Sequence, residues 1–375
     1  MGTVLNSPKS IWSGDKGVLS RLKTVWSCHK RLFRAGIGLA LAALAIYLLV
    51  LKDKEAITAE KVRALADNPQ WLLIGVVMIF VANILAVPRW QILLRAQGIH
   101  MPFWEAFRLT FVGYFFNFIV PGGTGGDVVK AYYATKYTPK KAEAVTTVFL
   151  DRVIGIYALA FMAACAVALK FRTLWSDPGS RVRTVLDWQT TDSQLLVLTV
   201  LAVFAIGTIA FFILFSGILK RSGTLVAIAK RLPGHTILRK VHYALVIYKN
   251  EKLAVFNVFA LSVLLQSISV FGHWCFGLAL GMHYNEVSVG NYFFLVPIGL
   301  MVNGLPLTPM GLGVGEGAFQ LLFRIVKNEN GAMIVALFHF AQLLTGALGL
   351  VYYIQGRQNY AAIMERADVE LEEAR

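Results

Sequence analysis

Charge is scarce in this chain. Charged residues make up 15% of it and apolar residues 57%, against about 25% and roughly 45–50% in soluble domains. The 375 residues contain no polar block long enough to fold as a soluble domain, which argues for a single integral membrane domain. Cysteine is also rare. Cys28, Cys165 and Cys275 have no spacing that suggests a disulfide frame or a zinc site, and they read as packing or incidental residues. Catalytic signatures are missing as well: the chain has no HExxH, GxSxG, DxD or CxxC, and its seven histidines are scattered. An enzyme, a metal and a cofactor are therefore not expected. No GK[ST] ending follows a glycine-rich run, so there is no nucleotide loop. Any uphill movement would need an ion gradient or a partner.

Uncharged stretches, by contrast, are long. They cover residues 35–51, 71–88, 153–169, 195–219, 253–285, 287–315 and 331–356, and several reach the 20 or so residues a spanning helix needs. The formal net charge of +15 could suggest nucleic acid, but the lysines and arginines concentrate in residues 1–34, 127–141 and 220–252. They read better as loops that set topology. The positive-inside rule then places both termini in the cytoplasm of a multi-pass inner (plasma) membrane protein. Three parts follow: a basic N-terminal segment 1–34, a polytopic domain 35–356 and a cytoplasmic tail 357–375, whose end reads as a frayed helix. The first apolar run follows a basic leader too long for a cleaved signal peptide and reads as a retained anchor.

Charge parity leaves two segments that must begin and end on one face. One precedes Pro121-Gly122-Gly123-Thr124-Gly125-Gly126-Asp127, and the other contains Pro309-Met310-Gly311-Leu312-Gly313-Val314-Gly315-Glu316. Glycine and proline break helices, and broken helices at membrane depth persist only where protein buries them or a cavity runs beside them. A matched pair of interruptions points to a transporter's binding site. The expected fold is an all-α integral membrane protein with about six full transmembrane helices plus two opposed re-entrant helical hairpins in an inverted repeat. Ordinary full spans at each break are the alternative. The repeat is positional: Pro121 and Pro309 are as far apart as Asp151 and His339.

The candidate substrate-binding residues are Gly122, Gly123, Gly125, Gly126, Asp127, Lys130, Arg152, Pro309, Gly311, Gly313 and Glu316. Asp151 and His339 are candidates for coupling. Backbone N–H groups at a helix start favour anions, and lysine adds charge for a phosphate head group. The bland reading of the first motif is a tight turn with Asp127 as N-cap and the lysines as topology signals. A carboxylate at membrane depth is by default functional; otherwise Glu316 snorkels at the outer interface. His339 is either a relay or bonded to a neighbouring helix. Asp151 and Arg152 are adjacent on a helix and so do not face each other; each needs a partner elsewhere. Arg152 could grip a lipid phosphate bidentately or pair with Asp127 or Glu316. Arg89, after Pro88, reads as snorkelling at the cytoplasmic end.

Residues 111–157 and 296–323 resemble the flippase-like membrane family typified by the N-terminal membrane domain of lysylphosphatidylglycerol synthases. Pro121 through Asp127, Asp151-Arg152 and Pro306 through Glu316 carry the resemblance. Met310 stands where the family pattern has glycine, and Gly315 where a basic residue often precedes the glutamate. The resemblance implies translocation of an anionic phospholipid or polyprenyl-linked lipid between leaflets. It does not imply lipid aminoacylation, because no stretch of these 375 residues reads as a soluble transferase domain. A membrane subunit scaffolding a lipid- or glycan-modifying enzyme, and an ion-coupled small-solute transporter, are the rival readings. The expected partners are a membrane lipid and such a modifying enzyme, with no nucleic acid; the sequence does not give the oligomeric state.

Overall fold

The computed structural model describes residues 59–119, 125–175, 182–185, 188–216, 248, 251–283, 288–305 and 307–373. The first apolar run, most of the basic segment 220–252, and Gly122 and Gly123 lie outside the described residues.

Helices dominate. Among the described residues, in chain order, they are α1 (Ala59–Asp67), α2 (Pro69–Ala96), α3 (Phe103–Ile119), α4 (Gly125–Ala134), α5 (Lys141–Trp175), α6 (Asp192–Ser216), α7 (Lys252–Ala279), α8 (Val289–Asn303), α9 (Val314–Ile325) and α10 (Gly331–Glu373), with a 3-10 turn at Pro309–Gly311. Five of them (α2, α5, α6, α7 and α10) are long and apolar enough to cross a membrane. Large apolar side chains such as Leu73, Leu169, Ile206, Phe256 and Leu321 are exposed, which in water would be an aggregation liability and in lipid is the ordinary outer surface. One element departs from the all-helical expectation. Val182–Val185 and Trp188–Thr191 pair as a small antiparallel β-hairpin, β1–β2, between α5 and α6. In the C-terminal region α10 continues as a helix to Glu373, so the expected frayed tail is part of it.

The two interruptions fall between short helices. At 1.5 Å per residue, the 17 residues of α3 reach about 26 Å and the 10 of α4 about 15 Å. Both are short of a bilayer core of about 30 Å. The 15 residues of α8 and the 12 of α9 fall short as well. Each short pair packs against itself, α3 on α4 and α8 on α9.

The packing repeats itself. Among these eight helices, exchanging α2 with α7, α3 with α8, α4 with α9 and α5 with α10 turns α3–α10 into α8–α5, α4–α5 into α9–α10, and α2–α10 into α7–α5; the α5–α6 packing has no counterpart among the described residues. The contact α2–α7 maps onto itself. These two helices run antiparallel, since Gly75 lies against Gly272 while Arg89 reaches Ser262. An axis exchanging antiparallel helices is perpendicular to them, as an inverted repeat requires.

Glycine makes the first hairpin possible. A Cβ on Gly126 would lie 1.8 Å from the Gly113 carbonyl oxygen, so α3 and α4 touch backbone to backbone. The Asn117 Oδ1 accepts the Gly126 N–H at 2.9 Å and ties the two arms together. Gly126→Ala should destabilise the protein by about 1–3 kcal/mol through overpacking. The measurement is the melting temperature of purified protein in detergent. Gly317→Ala, where an added Cβ meets nothing within 4 Å, should leave it unchanged or higher.

Candidate functional site

A cavity of about 230 Å³ lies where the two repeats meet. Helices α2 to α5 contribute Asn83, Arg89, Thr110, Tyr114, Asn117, Asp127, Lys130, Asp151 and Arg152. The second half contributes Gln266, Ser269, Asn303, Met310 and Gln342.

Its charges are paired across helices. Asp151 on α5 does not face Arg152; it meets Arg89 of α2. The Arg89 Nη2 donates to Asp151 Oδ2 at 2.9 Å, the Nε lies 2.9 Å from Oδ1, and Nη1 donates to Ser262 Oγ at 3.3 Å. This corrects the snorkelling expectation for Arg89. It is 8% exposed, because the Asp151 carboxylate supplies the buried guanidinium with a counter-charge inside the protein. Lys130 is buried too, with Nζ 4.0 Å from Asp151 Oδ2 and 4.0 Å from the Trp90 ring centroid. Arg152 turns the other way. Its Nη2 donates to Asp127 Oδ1 at 3.0 Å, and its Nε lies 2.5 Å from Oδ2. Of the two carboxylates offered as its partner, Asp127 is the one it finds. The cavity thus holds three cations, Arg89, Lys130 and Arg152, against two carboxylates, Asp127 and Asp151.

Neutral groups complete the wall. The Asn83 Nδ2 donates to Gln342 Oε1 at 2.9 Å and to Thr345 Oγ1 at 3.2 Å, joining α2 to α10. The Thr110 hydroxyl is buried without a hydrogen-bond partner.

Glu316 and His339 form a second cluster beside the first. Glu316 sits in the first turn of α9, where a carboxylate is favoured by the exposed N–H groups; its Oε2 accepts the Gly313 N–H at 2.6 Å. Its Oε1 lies 2.8 Å from His339 Nδ1, and His339 Nε2 lies 3.1 Å from Asn303 Oδ1. Both side chains are buried, so Glu316 is not snorkelling, and His339 does bond to neighbouring helices. Neither lines the cavity; Asn303 does, and links them to it.

The break at 309–315 accounts for one of the two departures noted in the sequence, Gly315, and leaves the other, Met310, strained. Met310 holds φ 57°, a left-handed conformation that suits glycine and strains other residues; glycine at this position is the relaxed choice. Gly311 and Gly313 are left-handed as well. A Cβ on Gly315 would lie 2.1 Å from Asn303 Oδ1, so a side chain there requires Asn303 to move. Pro309 opens the 3-10 turn. Gly125 and Gly126 begin α4.

Of the candidate residues, Asp127, Lys130, Asp151 and Arg152 meet in the cavity, and Glu316 and His339 adjoin it. The sequence reading missed Arg89 as a site residue, along with Asn83, Thr110, Asn303 and Gln342. An arginine beside proline in an apolar run was a signal for Arg89. Single amides and hydroxyls in such runs carry too little cost to stand out.

Comparison with known proteins agrees with this architecture. A UPF0104 membrane protein of Methanothermobacter thermautotrophicus is 25% identical over 306 residues, covering 76% of this chain and 83% of that one. The profile of the family described as "Lysylphosphatidylglycerol synthase TM region" matches residues 36–349, a span that includes α1 to α9, the first part of α10 and both clusters described above. The chain is a multi-pass helical membrane protein and belongs to the lysylphosphatidylglycerol synthase transmembrane-region family.

Proposed function

We propose that the chain carries the head group of an anionic lipid, a phospholipid or a polyprenyl-linked lipid, between the leaflets of the plasma membrane. The observation that supports this most is the charge balance of the cavity: three cations against two carboxylates, enclosed by helices of both repeats. Intramembrane charges around a cavity mark a substrate path, and an excess of one cation suits a monoanion. The two helix pairs act as opposed re-entrant hairpins and both termini face the cytoplasm. In this reading the chain is a carrier rather than an enzyme.

Lys130 is the cation with most to offer a ligand, because Arg89 and Arg152 are each forked onto a carboxylate while Lys130 stands 4.0 Å from its own. The test uses full-length protein in proteoliposomes and acyl-chain-fluorescent phosphatidylglycerol or phosphatidylcholine, with dithionite bleaching of the outer leaflet. The anionic lipid should flip in a protein-dependent way. Lys130→Gln, which removes a charge-assisted contact, should slow it roughly tenfold or more. Absence of protein-dependent bleaching for either lipid would favour the scaffolding-subunit reading.

A further inference from the structure

The exposure of the charged residues rises in one direction. Lys130 is 5% exposed, and the side chains of Asp127 and Arg152 are 19% and 44% exposed. All three line the same cavity. Asp127 and Lys130 lie on α4 and Arg152 on the adjoining α5, so a polar path leaves the cavity between these helices. What it opens onto follows from depth. The basic stretch with Lys136, Lys140 and Lys141 leads into α5, which begins at Lys141, and Arg152 lies eleven residues beyond it. That is about 16 Å along the helix, near the middle of a hydrocarbon core of about 30 Å. The residues around Arg152 agree: Phe149 and Ile156 on α5 are 52% and 53% exposed, and Val128 and Tyr132 on α4 are 68% and 56% exposed. At i−3 and i+4, Phe149 and Ile156 share a helix face with Arg152.

We infer that the gap between α4 and α5 is a lateral portal for an anionic lipid. Its phosphate enters past the Arg152–Asp127 pair while its acyl chains stay outside, against Val128, Tyr132, Phe149 and Ile156. Arg152 is then a threshold contact and Lys130 the inner one. A lipid phosphate reaching Arg152 competes with Asp127 for the guanidinium, so the pair opens as the head group passes. The portal rests on the proposed lipid function, and names where the lipid enters and which part of it never does.

Photocrosslinking tests it. Phe149→p-benzoylphenylalanine, Val128→p-benzoylphenylalanine and, as a control on an exposed face of α7, Phe256→p-benzoylphenylalanine are reconstituted as full-length protein in vesicles of phosphatidylcholine and phosphatidylglycerol at three to one. Mass spectrometry counts the lipid adducts after irradiation. At Phe149 and Val128 the ratio of anionic to zwitterionic adducts should exceed the bulk ratio about fivefold, as one lipid-facing basic group supports, with the bulk ratio at Phe256. Arg152→Gln should return both portal positions to the bulk ratio, and Arg152→Lys, which keeps the charge, should retain the enrichment. An unchanged bulk ratio at Phe256 and a monodisperse elution profile show that each variant is folded. Bulk ratios at all three positions in the Arg152 protein would overturn the portal. Flipping is measured on the same vesicles: enrichment without flipping keeps the portal and removes the translocase reading, whereas flipping without enrichment does the reverse.

Discussion

Asp151→Asn is expected to lower the stability of the protein in detergent by about 3–5 kcal/mol, because it strips the counter-charge from two buried cations at once. Arg89 is forked onto this carboxylate, and Lys130 stands beside it. The other carboxylate of the cavity, Asp127, is already held by Arg152. An asparagine amide would also aim its N–H groups at the guanidinium donors. Arg89→Met should be damaging for the converse reason. The double variant Arg89→Met with Asp151→Leu removes both charges and should be less harmful than the sum of the single changes, since replacing a buried pair by apolar groups is often near neutral. Thermal unfolding followed by size-exclusion chromatography measures Asp151→Asn and the cycle of wild type, Arg89→Met, Asp151→Leu and their double. Strict additivity would mean that Lys130, and not Arg89, balances Asp151.

Glu316→Gln should abolish lipid movement while leaving expression and melting temperature close to wild type. Glutamine can reproduce both contacts: its oxygen accepts the Gly313 N–H, and its amide N–H donates to His339 Nδ1. The imidazole is then neutral, with its Nε2 proton donated to Asn303 Oδ1. The variant changes charge without changing shape. Wild-type flipping rates across pH in Glu316→Gln would show that the acid–imidazole pair only fastens α9 to α10. A melting temperature lowered in step with activity would assign it the same structural role.

The features legible in the sequence were those with a high local cost. Glycine and proline clusters at 121–126 and 306–315 stop any regular helix, so both breaks could be located before the packing was known. Asp151, Arg152 and Glu316 stood out because charge in an apolar run must be compensated. The equal spacing of Pro121 from Pro309 and of Asp151 from His339 pointed to two related halves, and the pairing of helix contacts is consistent with that. What stayed hidden was partner choice. Arg89 and Asp151 are 62 residues apart, and nothing local to either names the other. The Asn303–His339 link is of the same kind. That adjacent Asp151 and Arg152 need separate partners was legible from helix geometry; that these are Arg89 and Asp127 was not. The β1–β2 hairpin was overlooked because a short polar loop between two long apolar runs draws no attention from hydropathy.

The surplus cation of the cavity has an electrical consequence. A monoanionic head group seated among Arg89, Lys130, Arg152, Asp127 and Asp151 brings the local sum to zero. In the proposed carrier cycle the loaded cavity would cross the transmembrane field without electrical work. The empty one returns with a single uncompensated positive charge, on which the field acts with about 2.3 kcal/mol per 100 mV. A membrane potential, negative inside, would therefore draw the vacant cavity toward the cytoplasmic side and set the resting orientation with no bound ion and no hydrolysed nucleotide.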